Sequence, residues 1–439
     1  MPVSLYEGPS VFGYETDVLN RVAAISVHTS PLADLGSKDA GGMNVYVREL
    51  SCHIADLGLP IDVFTRRIDP DTPEIQSPCN GVRVISINAG PPEQISKNEL
   101  FQYLPDFAAE MALFALRDGV RYDVVHAHYW LSGWVAQLVK RYWSVPFSFM
   151  FHTSAHMKNA VSQQHLHESA QRADIERNLV RLADSIIAGN PGEAADLIWR
   201  ERADASKICT IPPGVDTDLF HPLDRSICRH ELGLSSSDRV VAFVGRIDPI
   251  KGIDTLLAAA QHLQKDIGEQ LVVLIVGGDL DANGEPVGAL AKVAEEAQAL
   301  GISGSIRLIG AQPQNRLPVV YGAADVVCVP SRYESFGLVA VEAMACGVPV
   351  VASRAGGLIY TVEDGETGFL AAINNDRAFA DAILKVLTDP SLRDEMGRAA
   401  RIAAHRFSWE AIAQSVRHVY YQLASGHRTN LCCDEEIYA

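Results

Sequence analysis

Two glutamates, Glu334 and Glu342, stand eight residues apart where an apolar run gives way to a short polar loop. The pattern predicts a strand over 324–329 and a helix over 336–345. The loop therefore leads into a helix N-terminus, where unpaired backbone N–H groups and the helix dipole favour a phosphate or another anion.

The N–H groups of this corner belong to Ser335, Phe336, Gly337 and Leu338. A carboxylate beside an anion is unfavourable unless it accepts hydrogen bonds from hydroxyl groups, so the two glutamates favour a ligand that carries a diphosphate and sugar hydroxyls. The alternative is an ordinary surface cap with the second glutamate on a solvated helix face. The apolar surroundings and the Gly/Ser loop favour the ligand site.

Two cations, Arg246 and Lys251, follow a predicted strand over 240–245 and precede a predicted helix over 252–263. Fixed cations beside a helix start suit a diphosphate, and they would stabilise the charge that grows as a nucleoside diphosphate leaves. The alternative is a pair of solvated surface charges. The combination with the two glutamates favours a binding site.

The elements that position these residues alternate between strand and helix. The first unit pairs a strand over 21–27 with a helix over 45–57 and a strand over 61–65, and similar units continue to residue 211. The alternation restarts after a turn-rich linker over 212–222. The predicted fold is α/β, with two Rossmann-like lobes that face a central cleft, and ligands at the carboxyl ends of the strands.

The predicted organisation has five parts. They are an N-terminal extension (1–20), a first lobe (21–214), a second lobe (215–404), a final helix (405–424) and a mobile tail (425–439). A chain of 439 residues is of suitable length for two such lobes.

Composition narrows the function classes. With 48% hydrophobic and 21% charged residues the chain is typical of a folded globular protein. A formal net charge of −17 argues against nucleic-acid binding, because a phosphate backbone would be repelled. The first residues lack the pattern of a signal peptide, and no stretch is long enough to span a membrane, so we expect a cytoplasmic protein without stable membrane insertion. A homodimer is left open.

Metal and disulfide chemistry are not expected. The eight cysteines are scattered and include no Cys-x2-Cys pair, which predicts reduced, buried thiols and neither a disulfide framework nor a zinc site. Several histidines are closely spaced, but no cysteines or paired carboxylates complete a coordination set. The close spacings are His126-x-His128, His152-x3-His156 and His165-x-His167. We therefore expect no catalytic metal and no required cofactor.

The segment around Glu334 and Glu342 resembles the Glu-x7-Glu signature of retaining glycosyltransferases of the GT-B fold, in the GT4 family. The residues around Arg246 and Lys251 resemble the donor-phosphate loop of the same enzymes. In the first lobe, four segments resemble the inositol-phosphate glycosyltransferases of the mycothiol pathway, and the similarity extends over nearly all of 21–424. These segments are 30–32, 39–47, 126–133 and 152–153.

The resemblance assigns candidate residues by position. It implies that the donor is bound by Gly42, Arg246, Lys251, Gln312, Glu334, Ser335, Phe336, Gly337, Leu338 and Glu342. It implies that the acceptor is bound by Asn44, Lys97, Tyr129, Thr153 and Arg172, and that Glu334, Arg246, Lys251 and His152 act in catalysis. It further implies that the final helix returns to the first lobe. One departure is Ile359-Tyr360-Thr361, where relatives commonly place a proline, near the expected donor phosphates.

The activity implied is transfer of a hexosyl unit, with retention, from a UDP-sugar to a phosphorylated polyol or sugar. UDP-N-acetylglucosamine with 1D-myo-inositol 3-phosphate is favoured, and UDP-glucose with fructose 6-phosphate, as in sucrose-phosphate synthase, is the alternative. A silent sugar-nucleotide-binding protein and a sugar-nucleotide epimerase of the same fold are further alternatives. An intact set of charged residues argues against the silent protein.

Overall fold

A computed structural model describes residues 19–33, 42–161 and 168–426 of the chain. Most of the predicted N-terminal extension (1–18 of 1–20) and of the predicted tail (427–439 of 425–439) lies outside the described residues. The described residues form two α/β lobes, each built around its own sheet.

The first lobe contains a sheet of eight strands in the order β3-β4-β2-β1-β5-β6-β7-β8. Every pairing is parallel except that between β3 and β4. Most of these strands are short apolar runs buried on both faces, as a sheet between two helical layers requires. The strands are β1 (Val22–Ile25), β2 (Ile61–Arg66), β3 (Ile75–Gln76), β4 (Val82–Ile87), β5 (Val124–His128), β6 (Phe147–Met150), β7 (Ser185–Ala188) and β8 (Ile208–Thr210).

Helices connect the strands of this lobe and cover the sheet. They are α1 (Gly42–Asp56), α2 (Lys97–Leu100), α3 (Leu104–Asp118), α4 (Tyr129–Trp143), α5 (Ala155–Val161), α6 (Ala170–Leu182) and α7 (Pro191–Trp199).

The second lobe contains a sheet of six parallel strands in the order β13-β10-β9-β14-β15-β16, beside a separate two-stranded hairpin of β11 and β12. The strands are β9 (Arg239–Val244), β10 (Leu271–Val276), β11 (Asp279–Leu280), β12 (Pro286–Val287), β13 (Ile306–Leu308), β14 (Val326–Val329), β15 (Val350–Ser353) and β16 (Gly368–Ala371).

The helices of this half are α8 (Arg225–Glu231), α9 (Ile253–Ile267), α10 (Gly288–Ala299), α11 (Leu317–Ala323), α12 (Leu338–Ala345), α13 (Leu358–Thr361), α14 (Asp376–Thr388), α15 (Pro390–Ala404) and α16 (Trp409–Ala424). Among the described residues, no helix is both long enough and apolar enough to cross a membrane.

The last helix, α16, packs against the first lobe, as expected for the GT-B fold. The hydroxyl of Tyr420 lies 2.6 Å from Nδ1 of His126 on β5, and a guanidinium N–H of Arg417 donates to the carbonyl of Leu57. The chain therefore crosses between the lobes twice. The two crossings run side by side, because the N–H of Val215 donates to the carbonyl of Phe407 and the N–H of Trp409 donates to the carbonyl of Val215.

One prediction about the cysteines is wrong. Cys52 on α1 and Cys79 before β4 form a disulfide, with their Cα atoms 6.0 Å apart. The spacing of 27 residues gave no signal, because the two thiols meet only when α1 packs beside β4. The prediction of buried thiols is confirmed for the four remaining cysteines of the described ranges, which are Cys209, Cys228, Cys328 and Cys346.

Candidate active site in the interlobe cleft

The loop between β14 and α12 has the geometry expected for an anion site. Helix α12 begins at Leu338, and its N-cap residue, Gly337, has φ 95°, a left-handed conformation that favours glycine. A Cβ at Gly337 would also lie 2.5 Å from Cδ2 of Leu358. In the described part of the chain, the N–H groups of Ser335, Phe336 and Gly337 donate to no protein acceptor. These donors are available to a ligand.

The turn of α13 supports this loop from the side of the second lobe. The N–H of Gly357 donates to the carbonyl of Glu334 at 2.8 Å, and Oγ1 of the buried Thr361 donates to the carbonyl of Phe336 at 3.0 Å. The departure at Ile359-Tyr360-Thr361 thus lies beside the predicted donor loop, as expected, and Thr361 helps to hold it.

Lys251 reaches the same loop from the end of β9. Its Nζ lies 2.5 Å from Oε2 of Glu334, and both side chains are largely buried. The approach depends on Gly252, which has φ 68° and leaves no room for a Cβ, since that atom would lie 2.1 Å from the carbonyl oxygen of Pro330. Arg246 lies in the same connection and is exposed, and within the described ranges its guanidinium has no hydrogen-bond or ionic partner.

Glu342 lies inside α12 and is only 9% exposed. Its Oε2 accepts a hydrogen bond of 2.7 Å from the hydroxyl of Tyr321. Burial raises the pKa of Glu342 to about 7, and the bond from Tyr321 opposes that rise. The carboxyl group therefore gains a proton much more readily than an exposed glutamate does.

His152 follows the end of β6 and has a left-handed conformation, with φ 58°. Its Nε2 lies 3.1 Å from Nδ1 of His128, and its ring packs edge-on against Tyr46. Burial lowers the pKa of His152 to about 3, so the imidazole is neutral at physiological pH. A neutral imidazole can donate or accept a hydrogen bond with a sugar hydroxyl.

Four predicted acceptor residues of the first lobe come together. The guanidinium of Arg172 donates to the hydroxyl of Tyr129 at 2.9 Å and to the carbonyl of Thr153 at 2.6 Å. Nζ of Lys97 lies 5.4 Å from the centroid of the Tyr129 ring, on which the Arg172 guanidinium also stacks. The fold thus brings Lys97 and Arg172, which are far apart in the sequence, to the same part of the first lobe.

Arg172 is only 1% exposed and already has anionic partners. Its Nε lies 2.6 Å from Oε1 of Glu176, and its Nη1 lies 2.8 Å from Oε1 of Glu168. Glu176 is buried and also accepts the N–H of Ala155, whereas the side chain of Glu168 is 25% exposed. Sequence reasoning missed both carboxylates, although their spacing of four residues on either side of Arg172 is a helical ion-pair signal.

The remaining predicted residues, Gly42, Asn44 and Gln312, are placed by separate contacts. The amide of Asn44 donates to Oγ1 of Thr29 at 2.6 Å and to the carbonyl of Ser30 at 2.5 Å, so it is held in place within the first lobe. Gly42, at the start of α1, faces Leu338 of the other lobe, because a Cβ there would lie 3.2 Å from Cδ1 of Leu338. The side chain of Gln312 donates to the carbonyl of Ile309 and stays within the second lobe.

The structure adds two cleft residues of the first lobe that the sequence did not indicate, Asn190 and Glu193. A cavity of about 850 Å³, open to solvent, is lined from the first lobe by Asn190 and Glu193 and from the second lobe by Tyr333, Ser335 and Tyr360. Asn190 precedes a proline at the start of α7, which signals a helix cap but gives no sign of a contact with the other lobe.

In 19–33, 42–161 and 168–426, no three or more His, Cys, Asp or Glu side chains are arranged to hold a metal ion.

Comparisons with known proteins identify the family of this chain. Residues 41–214 match the "Glycosyl transferase 4-like domain" family, and residues 224–403 match "Glycosyl transferases group 1". The chain is 43% identical over 407 residues to a protein of Kribbella flavida named D-inositol 3-phosphate glycosyltransferase, covering 92% of this chain and 95% of that protein. A protein of the same name from Corynebacterium jeikeium is 42% identical, with 93% and 98% covered. The chain therefore belongs to the GT4 family of glycosyltransferases, and it is a glycosyltransferase.

Two solved structures share the fold of this chain. Sucrose-phosphate synthase of Thermosynechococcus elongatus superposes with a TM-score of 0.84 at 35% identity, covering 93% of this chain and all of that one. HepE of Anabaena in complex with UDP superposes with a TM-score of 0.69 at 21% identity, over 91% of this chain and 98% of that one, which shows likeness of fold alone. The two lobes and the returning helix are those of a GT-B glycosyltransferase.

Proposed function

We propose that this enzyme transfers an N-acetylglucosaminyl unit, with retention of configuration, from UDP-N-acetylglucosamine to 1D-myo-inositol 3-phosphate. The observation that carries the proposal is the meeting of Lys97, Tyr129, Thr153 and Arg172 on the first lobe. Two cations and a phenol in one place, beside the backbone of Thr153, suit a phosphate in an otherwise acidic protein. The names of the relatives support inositol phosphate as the acceptor.

The acceptor phosphate would exchange places with a carboxylate. Glu168 is the more exposed of the two partners of Arg172, so a phosphate can displace it from Nη1 while the buried Glu176 keeps Nε in place. Arg172 would then retain its charge balance with and without the acceptor. Lys97, which is partly exposed beside the Tyr129 ring, would supply the second cation.

The donor diphosphate would lie at the start of α12. The N–H groups of Ser335, Phe336 and Gly337, together with Arg246 and Lys251, would stabilise the charge of the departing UDP. Glu334 and His152 would contact hydroxyls of the transferred sugar, and Glu342 would contact the ribose. Most of the rate enhancement would come from alignment and electrostatic stabilisation, with the acceptor hydroxyl held on the face from which UDP leaves and its proton passed to the diphosphate oxygen.

The test is UDP release by the purified protein, with UDP-glucose or UDP-N-acetylglucosamine as donor. Each donor is offered with inositol 3-phosphate, with fructose 6-phosphate and without an acceptor. We expect turnover only with UDP-N-acetylglucosamine and inositol 3-phosphate, and NMR of the product should give the same anomeric configuration as the donor. UDP release at equal rates without an acceptor would contradict the proposal.

A second candidate is transfer of glucose to fructose 6-phosphate. It is favoured by the superposition on sucrose-phosphate synthase at a TM-score of 0.84 and 35% identity. The same set of incubations distinguishes the two, since this candidate requires turnover with UDP-glucose and fructose 6-phosphate.

A further inference from the structure

Three consecutive carbonyl groups of the loop before α12 accept hydrogen bonds. Those of Glu334 and Phe336 are bonded from α13 in the same lobe, by Gly357 and Thr361. The carbonyl of Ser335, between them, accepts a bond of 2.6 Å from Nδ2 of Asn190, which belongs to the first lobe. The middle bond is therefore the one that crosses the cleft.

These bonds fix the direction of the N–H groups that follow. A peptide unit is planar and trans, so holding the carbonyl of one residue also sets the N–H of the next residue on the opposite side of the plane. The bond from Asn190 thus orients the N–H of Phe336, which donates to no acceptor in the described ranges. The neighbouring bonds orient the N–H groups of Ser335 and Gly337 in the same way.

Asn190 is held firmly enough to do this. It is 2% exposed, and its Oδ1 accepts the N–H of Glu193 at 2.9 Å as the N-cap of α7. The carboxyl of Glu193 in turn accepts the N–H of Gly189 at 2.8 Å. Only one orientation of the amide satisfies both contacts, because Oδ1 must accept from an N–H and Nδ2 must donate to a carbonyl.

The geometry points to Asn190 as a positioning residue for the donor diphosphate. This inference rests on the proposed function, in which UDP binds at the loop before α12. Its bond to the Ser335 carbonyl completes the set of oriented N–H donors from the opposite lobe. The affinity for UDP therefore depends on contact between the acceptor lobe and the donor loop. Without the bond from Asn190, the peptide unit between Ser335 and Phe336 is free to rotate. The N–H of Phe336 is then no longer preorganised to donate to the diphosphate.

The test uses two substitutions that keep the helix cap and remove the cross-cleft donor. Asn190→Asp retains an oxygen for the N–H of Glu193 but places a carboxylate against the Ser335 carbonyl. Asn190→Ser retains the cap without a charge and is too short to cross the cleft. Asn375→Asp is the matched control, because Asn375 caps α14 with an Oδ1 to N–H bond of 3.0 Å and belongs to neither substrate site.

Calorimetric titration of the full-length protein with UDP should show a Kd raised at least about threefold in both Asn190 variants, the range expected for one lost hydrogen bond. The kcat/KM for the donor should fall in parallel, while the acceptor KM changes less than about twofold. The control should bind UDP as the wild type does. Thermal unfolding of all variants separates this effect from a loss of the α7 cap, which would lower Tm without the split between donor and acceptor.

Wild-type affinity in both Asn190 variants would overturn the inference, as would an equal loss in Asn375→Asp. Failure of the proposed function is visible separately, in the wild type itself. A wild-type protein that binds UDP but transfers to neither acceptor contradicts the proposed reaction and leaves the Asn190 comparison decisive. A wild-type protein without affinity for UDP overturns both.

Discussion

Nζ of Lys251 lies 2.5 Å from Oε2 of Glu334, although the two residues come from different loops of the second lobe. The cation proposed for the diphosphate is thus paired with the carboxylate proposed for a sugar hydroxyl. In the proposed site, binding of the donor would exchange this ion pair for two contacts with the ligand. The ion pair would therefore lower the affinity for the donor, although it holds both side chains beside the donor loop.

We predict that Glu334→Gln tightens the binding of UDP and slows turnover. Removing the carboxylate frees Lys251 and removes repulsion of the diphosphate, so the Kd for UDP should fall about two- to fivefold, the range for a partly exposed ion pair. UDP carries no transferred sugar, so it does not sense the lost hydroxyl contact. With the whole UDP-sugar, kcat should fall at least about tenfold.

Lys251→Ala provides the opposite case, with a Kd for UDP raised about tenfold or more, since a charge-assisted contact is lost. Lys292→Ala, an exposed lysine on α10 of the same lobe, is the control and should bind UDP as the wild type does. Weaker binding of UDP by Glu334→Gln would show that the ion pair does not limit the affinity.

The alternation of apolar runs predicted both lobes, because each buried parallel strand is a short run that sequence shows directly. It also predicted the loop at Glu334, whose glycine and helix start are local features. The bond from Asn190 to Ser335 joins residues 145 apart in the chain, and no local pattern encodes it. The Cys52–Cys79 disulfide was missed for the same reason. The carboxylates around Arg172 could have been predicted, because each is four residues away from it on a helix, which is the spacing of a helical ion pair.

The acceptor residues should separate binding from stability. Lys97→Ala should raise the acceptor KM about tenfold or more, because a charge-assisted contact is lost, and should lower the free energy of unfolding by about 1 kcal/mol or less, because the lysine is partly exposed. Arg172→Ala should raise the acceptor KM and also destabilise the fold by about 3–5 kcal/mol, because Glu176 would remain buried without its partner. Steady-state kinetics and urea unfolding measure the two effects.

Arg172→Lys is the informative companion to these variants. A lysine keeps the charge beside Glu176 but cannot reach Tyr129, Thr153 and both carboxylates together. It should recover part of the stability and little of the acceptor affinity. Equal changes in the donor and acceptor KM for Lys97→Ala would refute the acceptor-phosphate assignment.

The disulfide should stabilise the first lobe. Closing a loop of 27 residues between Cys52 and Cys79 contributes about 2–4 kcal/mol in the chain-entropy description. The double variant Cys52→Ser, Cys79→Ser should lose that amount in urea unfolding. A dithiol reductant should lower the wild type to the same level and leave the double variant unchanged. A wild type that is insensitive to reductant, and that yields both thiols on titration, would show that the bond does not form.

Glu342 should make stability depend on pH. Burial raises its pKa from 4.5 to about 7, so the native state holds the proton that the unfolded chain releases. A raised folded-state pKa gives stability that is complete below the unfolded pKa and is lost as pH rises through the folded pKa. The wild type should therefore lose about 2.5 kcal/mol relative to Glu342→Gln between pH 5 and 8. The glutamine cannot titrate, but its oxygen still accepts the Tyr321 hydroxyl.

Urea unfolding of the wild type and of Glu342→Gln across that pH range measures the difference in their free energies of unfolding. Titrations that the two proteins share, including those of the buried histidines, cancel in this difference. Glu366→Gln removes an exposed carboxylate of the same lobe and is the matched control. Its difference from the wild type should vary with pH by less than about 0.5 kcal/mol, as expected for an exposed site. If the Glu342→Gln difference were equally flat, the carboxyl would be ionised in the native state at pH 5, and burial beside Tyr321 would not control its protonation.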